Sequence, residues 1–184
     1  MNEDASRRQV LIVTTAFTPL NPRDAQRIRL SLPYYRQNGW DVVVLTVSPA
    51  VQTEPADESL LGTLPTDLRL VRCGAFPLKL SRRLGIGTLG LRSWAHLFVA
   101  GTRLLRSERF DLIFFSTAQF PTLSLGPIWS KVFKIPYVVD LQSPRHLALD
   151  KTKAPGKAPA RWKHRWVRSC AIFLDFGAGC SRCR

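Results

Sequence analysis

Cysteine is scarce in this chain, and long uninterrupted apolar runs are missing from it. Four cysteines among 184 residues are too few for the disulfide framework of a small secreted domain. The most apolar stretch, residues 89–105, contains Arg92 and Arg103, so no segment predicts a membrane-spanning helix of about 18 apolar residues. The apolar run Val10–Val13 is too short for the core of a signal peptide. These absences predict a cytoplasmic protein that does not span a membrane.

Acidic residues are also few, and the cations that outnumber them are unevenly distributed. The chain has 13 Asp and Glu against 27 Lys and Arg, a formal net charge of +14. The excess is concentrated in residues 79–109 and 145–184. Such a surface attracts polyanions, which include phospholipid head groups, nucleic acid and substrates that carry pyrophosphate. A solvated cationic face with no specific partner is the alternative.

Short apolar runs alternate with helical patterns along the chain, and the 45% hydrophobic fraction is enough for one buried core. Runs of this kind are typical of parallel strands that are covered on both faces. Their alternation predicts an α/β domain: a Rossmann-like, doubly wound, mainly parallel sheet with helices on both faces. The predicted strands are 9–15, 41–47, 68–71, 111–116 and 136–141, and the predicted helices are 24–38, 88–107 and 121–133.

Two of these helices contain residues that disfavour a continuous helix. Pro33 lies inside the first one and should kink or shorten it, since proline lacks the N–H that an interior position uses. Gly126 and Pro127 lie inside the last one and are predicted to interrupt it.

Polar residues follow the predicted strands. In doubly wound sheets, ligands bind beyond the carboxyl ends of the strands. Hydroxyl, amide and charged groups beside prolines follow the strands here, which predicts a polar crevice over that edge of the sheet. The segments concerned are 15–21, 48, 116–119 and 142–146.

The segment Gly85–Gly90 matches the G-x-G-x-x-G pattern of dinucleotide-binding sites. In such sites the pattern directly follows a strand and opens the next helix, whereas residues 79–84 lack a strand pattern. We therefore interpret it as a loop ahead of a helix.

Cys180 and Cys183 have the spacing of half a zinc site. A structural zinc ion needs four ligands, and Cys170 and His164 are the available further ones. Because no second pair stands at ligand spacing, the sequence predicts no metal site.

Four stretches of the chain resemble, in the expected order, the N-terminal domain of family 4 glycosyltransferases, which have the GT-B fold. Together the four are fairly specific for that domain, and the resemblance covers roughly residues 9–168. The stretches are Val10–Pro19 followed by Arg27, then Asn38–Thr46, Phe110–Thr117 and Ile135–Leu141.

The resemblance implies two Rossmann-like lobes with an active site in the cleft between them, of which this chain would be the acceptor-side lobe. Residues 9–175 would form that domain, after a flexible N-terminus at 1–8 and before an off-pattern tail at 176–184. We expect no cofactor in this chain, a nucleotide-sugar donor for the complete enzyme, and no activity of the chain alone. A fragment, a frame-shifted product and a split enzyme are alternatives that stay open.

The same resemblance implies a site for the acceptor or its phosphate, built from three segments. Arg27 would meet a phosphate, and Asp140 would orient a sugar hydroxyl or a neighbouring loop, with a structural cap as its alternative role. No catalytic residue is assigned, because Ser143 stands where the family has a carboxylate. The site residues are Thr18, Asn21 and Arg27; Ser116, Thr117 and Gln119; and Asp140, Gln142 and Arg145.

The expected partners follow from the resemblance together with the charge. The acceptor would be a glycan or a lipid-linked pyrophosphate, and a basic patch would meet it or the anionic inner face of a membrane. A separately encoded C-terminal lobe is a further expected partner. Two rival functions stay open: a non-catalytic interaction or regulatory remnant of a transferase, and a nucleic-acid-binding module, which the missing binding signature disfavours. The patch consists of Lys79, Arg82, Arg83 and Arg92.

Overall fold

The computed structural model describes residues 7–83 and 87–140. Within these ranges, five strands form one sheet in the order β3-β2-β1-β4-β5, and every neighbouring pair is parallel. The strands are β1 (Arg8–Val13), β2 (Trp40–Val47), β3 (Arg69–Cys73), β4 (Leu112–Ser116) and β5 (Tyr137–Asp140). The helices are α1 (Arg23–Gln37), α2 (Leu78–Arg83), α3 (Leu89–Ser107), α4 (Phe120–Leu123) and α5 (Leu125–Phe133).

Helices cover both faces of this sheet, which confirms the predicted Rossmann-like α/β fold. Side chains alternate along a strand, so β1 supplies both cores. Val10 and Ile12 pack in the same cluster as Ile28 of α1, on what we call the α1 face. Leu11 and Val13 belong to the cluster on the opposite face, which we call the α3–α5 face because those two helices cover it. Burial on both sides explains why the strands read as continuous apolar runs.

The contact between α3 and α5 depends on one glycine. A Cβ built on Gly101 would lie 2.4 Å from two carbons of the Trp129 indole, so only a residue without a side chain permits this approach. The indole Nε1 donates to Thr102 Oγ1 at 3.1 Å, which satisfies the polar atom of a side chain that is 1% exposed. Trp129 is therefore both the largest buried side chain on this face and the element that joins its two helices.

The predicted shortening of the first helix and the predicted position of the break in the last one were wrong. α1 continues past Pro33 to Gln37, because Ile28 and Leu32 anchor it to the sheet and one lost backbone bond does not outweigh that burial. The break before α5 falls at Ser124. Pro127 instead lies in the first turn of α5, where an N–H has no intrahelical partner to lose.

The connection between β2 and β3 is mostly exposed but contains local helical structure. It contains two short 3-10 helices, Pro49–Val51 and Glu58–Thr63. In the second one, Asp57 caps the first turn, since its carboxylate accepts from the Ser59 backbone N at 3.1 Å. This connection lies against the loop that follows β1, as described below.

Candidate functional site

The site lies at the carboxyl ends of β1 and β4. These strands are neighbours, paired up to Val13 and Phe115, but the chain leaves β1 toward the α1 face and leaves β4 toward the opposite face. The two loops therefore diverge at the place where doubly wound sheets bind ligands, and we call the region between them the crevice. The loops are residues 14–22 and 117–119.

Two threonine hydroxyls tie these loops together at the floor of the crevice. Thr15 Oγ1 and Thr117 Oγ1 are 2.9 Å apart and hydrogen-bonded, and both residues are at most 2% exposed. Thr117 Oγ1 also accepts from the Gln119 backbone N at 3.1 Å. Thr117 and Gln119 were predicted site residues and lie together here. Thr15 was not among them, although a hydroxyl directly after a buried strand is the signal that could have identified it.

Asp24, which the sequence analysis did not select, extends this polar floor. It lies in the first turn of α1, where the helix dipole favours a negative charge. Its Oδ2 accepts from the Ala118 backbone N at 2.8 Å, so α1 is fastened to the loop after β4. An acidic residue in the first turn after the β1 loop was the signal for it.

Arg27 and Asp140, predicted separately, form one ion pair across the crevice. Arg27 Nη1 donates to both carboxylate oxygens of Asp140, at 2.6 and 2.8 Å. Ser116 Oγ donates to Asp140 Oδ2 at 3.2 Å. The Arg27 side chain remains 60% exposed and that of Asp140 17% exposed. The carboxylate thus orients an element of this chain, α1, while the guanidinium keeps an open side toward solvent.

Tyr35 is a further neighbour of this pair that the sequence did not indicate. Burial raises the pKa of Tyr35 above its ordinary value of 10.0, and the Asp140 carboxylate raises it further. The phenol is therefore neutral near pH 7 and stays a hydrogen-bond donor beside the carboxylate.

The loop after β1 is buried rather than open. Thr18 is 1% exposed, and its Oγ1 has no hydrogen-bond partner among the described residues. The β2–β3 connection holds this loop from outside: Gln52 Nε2 donates to the Thr15 carbonyl at 3.1 Å, and the Asp57 backbone N donates to the Pro19 carbonyl at 2.9 Å. Asn21, by contrast, is exposed. In the loop after β1, Asn21 is therefore accessible to a ligand, whereas Thr18 is not.

The prediction that Arg92 belongs to an exposed patch was wrong. Arg92 is 5% exposed, and its Nε donates to the Phe76 carbonyl at 2.8 Å. The Phe76 backbone N donates back to the Arg92 carbonyl at 3.1 Å. The loop after β3 covers this part of α3, so the guanidinium is used for internal hydrogen bonds. Of the other predicted members, Lys79 is exposed on α2, the helix that also contains Arg82 and Arg83.

Several predicted features lie outside the described residues. Among the site residues these are Gln142 and Arg145. Other predictions that fall there concern residues 1–6 of the N-terminus, Gly85, the possible zinc ligands His164, Cys170, Cys180 and Cys183, and the tail at 176–184. In the described ranges, no group of three or more His, Cys, Asp and Glu side chains is placed to hold a metal ion. None of the helices in those ranges combines the length and the apolar character needed to cross a bilayer.

A second concavity lies at the other edge of the sheet, where the strands begin. It has a volume of about 180 Å³ and lies between α1 and the end of the β2–β3 connection. The Arg36–Asp67 ion pair belongs to its wall, together with Leu32 and Trp40. The polar network described above is at the opposite edge, and parallel sheets bind ligands there, so the crevice over β1 and β4 is the candidate site.

Comparison with known proteins gives a family and a fold neighbour. The family described as glycosyl transferase 4-like domain matches residues 8–174. The crystal structure of TcCGT1 in complex with UDP aligns with a TM-score of 0.53 and 16% identity, over 94% of this chain and 42% of that one. The chain thus spans less than half the length of that neighbour. A predicted subunit of a tRNA methyltransferase from Methanocaldococcus jannaschii aligns with a TM-score of 0.34 and 12% identity, over 88% and 87% of the two chains. No curated protein gives a significant match.

Proposed function

This chain belongs to the glycosyl transferase 4-like domain family, and from that membership we propose that it is the acceptor-side domain of a sugar transferase. The transferase moves a sugar from a nucleotide-sugar to a glycan or a lipid-linked acceptor. The observation that carries this proposal is the convergence of hydroxyl, amide and carboxylate groups at the switch between β1 and β4. Such groups can hydrogen-bond to the hydroxyls of sugars, but they could also bind other polar ligands. Membership of a glycosyl transferase family is the reason for proposing a sugar.

The acceptor contacts are assigned to the open side chains of the crevice. Asn21 and Gln119 carry amides that donate to and accept from sugar hydroxyls. Arg27 uses only Nη1 for Asp140 among the described residues, which leaves Nη2 and Nε to meet an acceptor phosphate. Arg27 can therefore bind a phosphate without releasing Asp140. Ser116, Thr117 and Asp140 hold the wall against which the acceptor rests.

The donor is assigned to a second lobe, in the same polypeptide or in another. The TcCGT1 structure contains UDP, which supports a nucleotide-sugar as the donor class here. Departure of a nucleoside diphosphate must be stabilised by fixed positive groups. Among the described residues, Arg27 already shares its charge with Asp140, and Arg72 Nη2 donates to the Thr18 carbonyl at 3.3 Å. We accordingly expect the chain alone to show no sugar transfer.

Backbone amide chemical shifts of the labelled chain test the acceptor role. The probes are methyl glucoside, farnesyl pyrophosphate and farnesol. Shifts are expected at residues 14–24 and 117–119, larger for the pyrophosphate than for the alcohol. Gln119→Ala should weaken binding about five- to tenfold, the effect of one lost hydrogen bond, and Gln37→Ala at the exposed end of α1 is the matched control.

Two results would contradict the proposal. Shifts confined to the concavity at the other edge of the sheet, or none with any probe, would remove the acceptor site from the crevice. Steady sugar transfer by the isolated chain from UDP-sugars would overturn the dependence on a second lobe.

A further inference from the structure

The side chain of Gln52 joins the ends of the first two strands. Its Nε2 donates to the Val47 carbonyl, where β2 ends, and to the Thr15 carbonyl, just beyond β1, at 3.1 Å in each case. Because both neighbours are carbonyl oxygens, the nitrogen of the carboxamide must be the atom that faces them. One side chain therefore satisfies backbone acceptors that belong to two different strands.

The hydrogen-bond ladder between β1 and β2 ends before it reaches the Val47 carbonyl. The strands pair up to Val13 and Leu45, and the Thr14 backbone N donates to the Leu45 carbonyl at 3.0 Å. Alternate carbonyls of a strand point toward the same neighbour, so the Val47 carbonyl also points toward β1, which has already ended. Val47 is 1% exposed, and a buried carbonyl without a donor is costly. Gln52 supplies that donor.

The short 3-10 helix Pro49–Val51 fixes the position of Gln52. The Gln52 backbone N donates to the Pro49 carbonyl at 2.9 Å and closes the end of this helix. From α3, Arg92 Nη2 donates to the Val51 carbonyl at 3.4 Å. The carboxamide is therefore presented by an ordered element of the β2–β3 connection.

Thr15 connects this contact to the crevice. Its carbonyl accepts from Gln52, and its Oγ1 is hydrogen-bonded to Thr117 Oγ1 at 2.9 Å. Thr117 Oγ1 in turn accepts from the Gln119 backbone N at 3.1 Å. Thr15 and Thr117 are at most 2% exposed, and close packing leaves such residues little room to move independently. A change at Gln52 should therefore displace Gln119.

We propose that Gln52 is a positioning residue for the crevice. Its amide N–H groups fix Thr15 and, through the hydrogen bond between Thr15 and Thr117, set the place of Gln119. The consequence for ligand binding rests on the function proposed above, which assigns Gln119 to the acceptor. The consequence for the positions of Thr117 and Gln119 does not depend on that function.

The variant Gln52→Glu separates donation by the amide from the filling of space, because the two side chains have nearly the same size. A protonated carboxyl donates one O–H to a carbonyl, whereas a carboxylate donates nothing. The variant should therefore resemble the wild type at low pH and lose the contact when the new carboxyl ionises. We expect its pKa to lie above the ordinary Glu value of about 4.3, because the carboxylate would face carbonyl oxygens.

Amide chemical shifts of the labelled full chain without ligand test the positioning. They are recorded from about pH 4 to about pH 8, and the wild-type titration is subtracted to remove the effects of other carboxylates. In Gln52→Glu, the signals of Thr15, Thr117 and Gln119 should lie near their wild-type positions at low pH and move in a common step as pH rises. In Gln52→Ala the same signals should be displaced at every pH.

Two checks make this titration specific. Gln37→Glu makes the same chemical change at the exposed end of α1 and should leave the signal of Gln119 unmoved. Arg72 and Arg92, which donate to the Thr18 and Val51 carbonyls, stay protonated throughout and cannot cause the step. Circular dichroism confirms that each variant is folded. A step confined to residues 47–53, or the same step in Gln37→Glu, would overturn the proposal.

Binding of farnesyl pyrophosphate tests the consequence for the acceptor. Gln52→Ala should weaken it about three- to tenfold, the effect of one misplaced hydrogen bond in the crevice, and Gln37→Ala should weaken it less than about twofold. If the wild-type chain does not bind this probe, the proposed function fails, and the titration still decides the role of Gln52. Equal binding by the wild type and Gln52→Ala would contradict a positioning role.

Discussion

The two faces of the sheet use their charged residues in different ways. On the α1 face, Arg27 and Arg36 are paired with Asp140 and Asp67, and Asp24 of the same helix is bonded to a backbone amide of another loop. On the α3–α5 face the exposed cations lack acidic partners among the described residues. Two of the four arginines of α1 thus fasten that helix to its surroundings, whereas none of the exposed cations of α3 and α5 has an ion pair among the described residues.

Apolar packing, in contrast, is more extensive on the α3–α5 face than on the α1 face. The α3–α5 face is held by the larger apolar cluster, in which Trp129 fills the space that Gly101 leaves open. The α1 face has a smaller apolar cluster and adds polar contacts at the crevice. We therefore expect substitutions on the α3–α5 face to change the free energy of unfolding most. Substitutions on the α1 face should mainly change the geometry of the candidate site.

The largest effect is expected for Trp129→Ala. It removes a side chain that is 1% exposed and opens a cavity between α3 and α5, which should lower the free energy of unfolding by about 3–5 kcal/mol. Chemical denaturation measures it. Trp40→Ala, at a half-buried tryptophan, is the control and should cost distinctly less. Equal losses would mean that Trp129 has no special place in the packing.

Gly101→Ala should have the next largest effect. The new methyl would meet the Trp129 indole at 2.4 Å, and such overpacking costs about 1–3 kcal/mol. Gly62→Ala, where nothing lies within 4 Å, should be close to neutral in the same denaturation assay. A Gly101→Ala variant as stable as the wild type would show that α3 and α5 can move apart without cost. That result would contradict the expected importance of packing on the α3–α5 face.

Asp140→Asn removes the ion pair of the α1 face. Because the Arg27 side chain is 60% exposed, the loss of stability should be about 1 kcal/mol or less. The clearer readout is Tyr35, whose pKa should fall toward 10.0 once the carboxylate is gone. Tyrosinate absorbance in an alkaline titration measures it.

The sign of the associated pH dependence follows from the raised pKa of Tyr35. Stability that comes from burying the neutral phenol is present below pH 10.0 and is lost as pH rises through the raised pKa. In Asp140→Asn the loss should still begin near pH 10.0 but be complete at a lower pH, because only the folded-state pKa of Tyr35 falls. Asp67→Asn removes the other ion pair of α1 and should leave the titration of Tyr35 unchanged; an equal shift there would contradict the assignment to Asp140.

The smallest effect on stability is expected for Arg103→Glu/Arg106→Glu. Both side chains are exposed and have no acidic partner among the described residues, so the free energy of unfolding should change by no more than about 0.5 kcal/mol. A large loss of stability would contradict this expectation and show that these cations support the fold.

Sequence reasoning identified the sheet because parallel strands buried on both faces read as uninterrupted apolar runs. The family resemblance selected Arg27 and Asp140 as site residues. It could not foresee their contact, which arises only because β5 lies beside β4 with Asp140 opposite Ser116. Long-range pairing of this kind is fixed by topology, and no local pattern encodes it.

Arg92 shows the limit of counting charges along a helix. It is seven residues before Val99, two turns of helix, so both share one side of α3. One is buried and the other exposed, because the loop after β3 covers only the beginning of the helix. Asp24 was missed for a related reason: an acid in the first turn of a helix is common, and only the position of the Ala118 amide gives it a second role.

The way the loop after β1 is held has a consequence for protein engineering. The Asp57 contact is made by main-chain atoms, and the Gln52 contact ends on a main-chain carbonyl, so neither depends on which side chains stand between these residues. Positions 53–56 are exposed. A library randomised at positions 53–56 would leave the loop after β1 in place and change only the exposed side chains beside it. This short segment is therefore a suitable target for directed evolution of the candidate site.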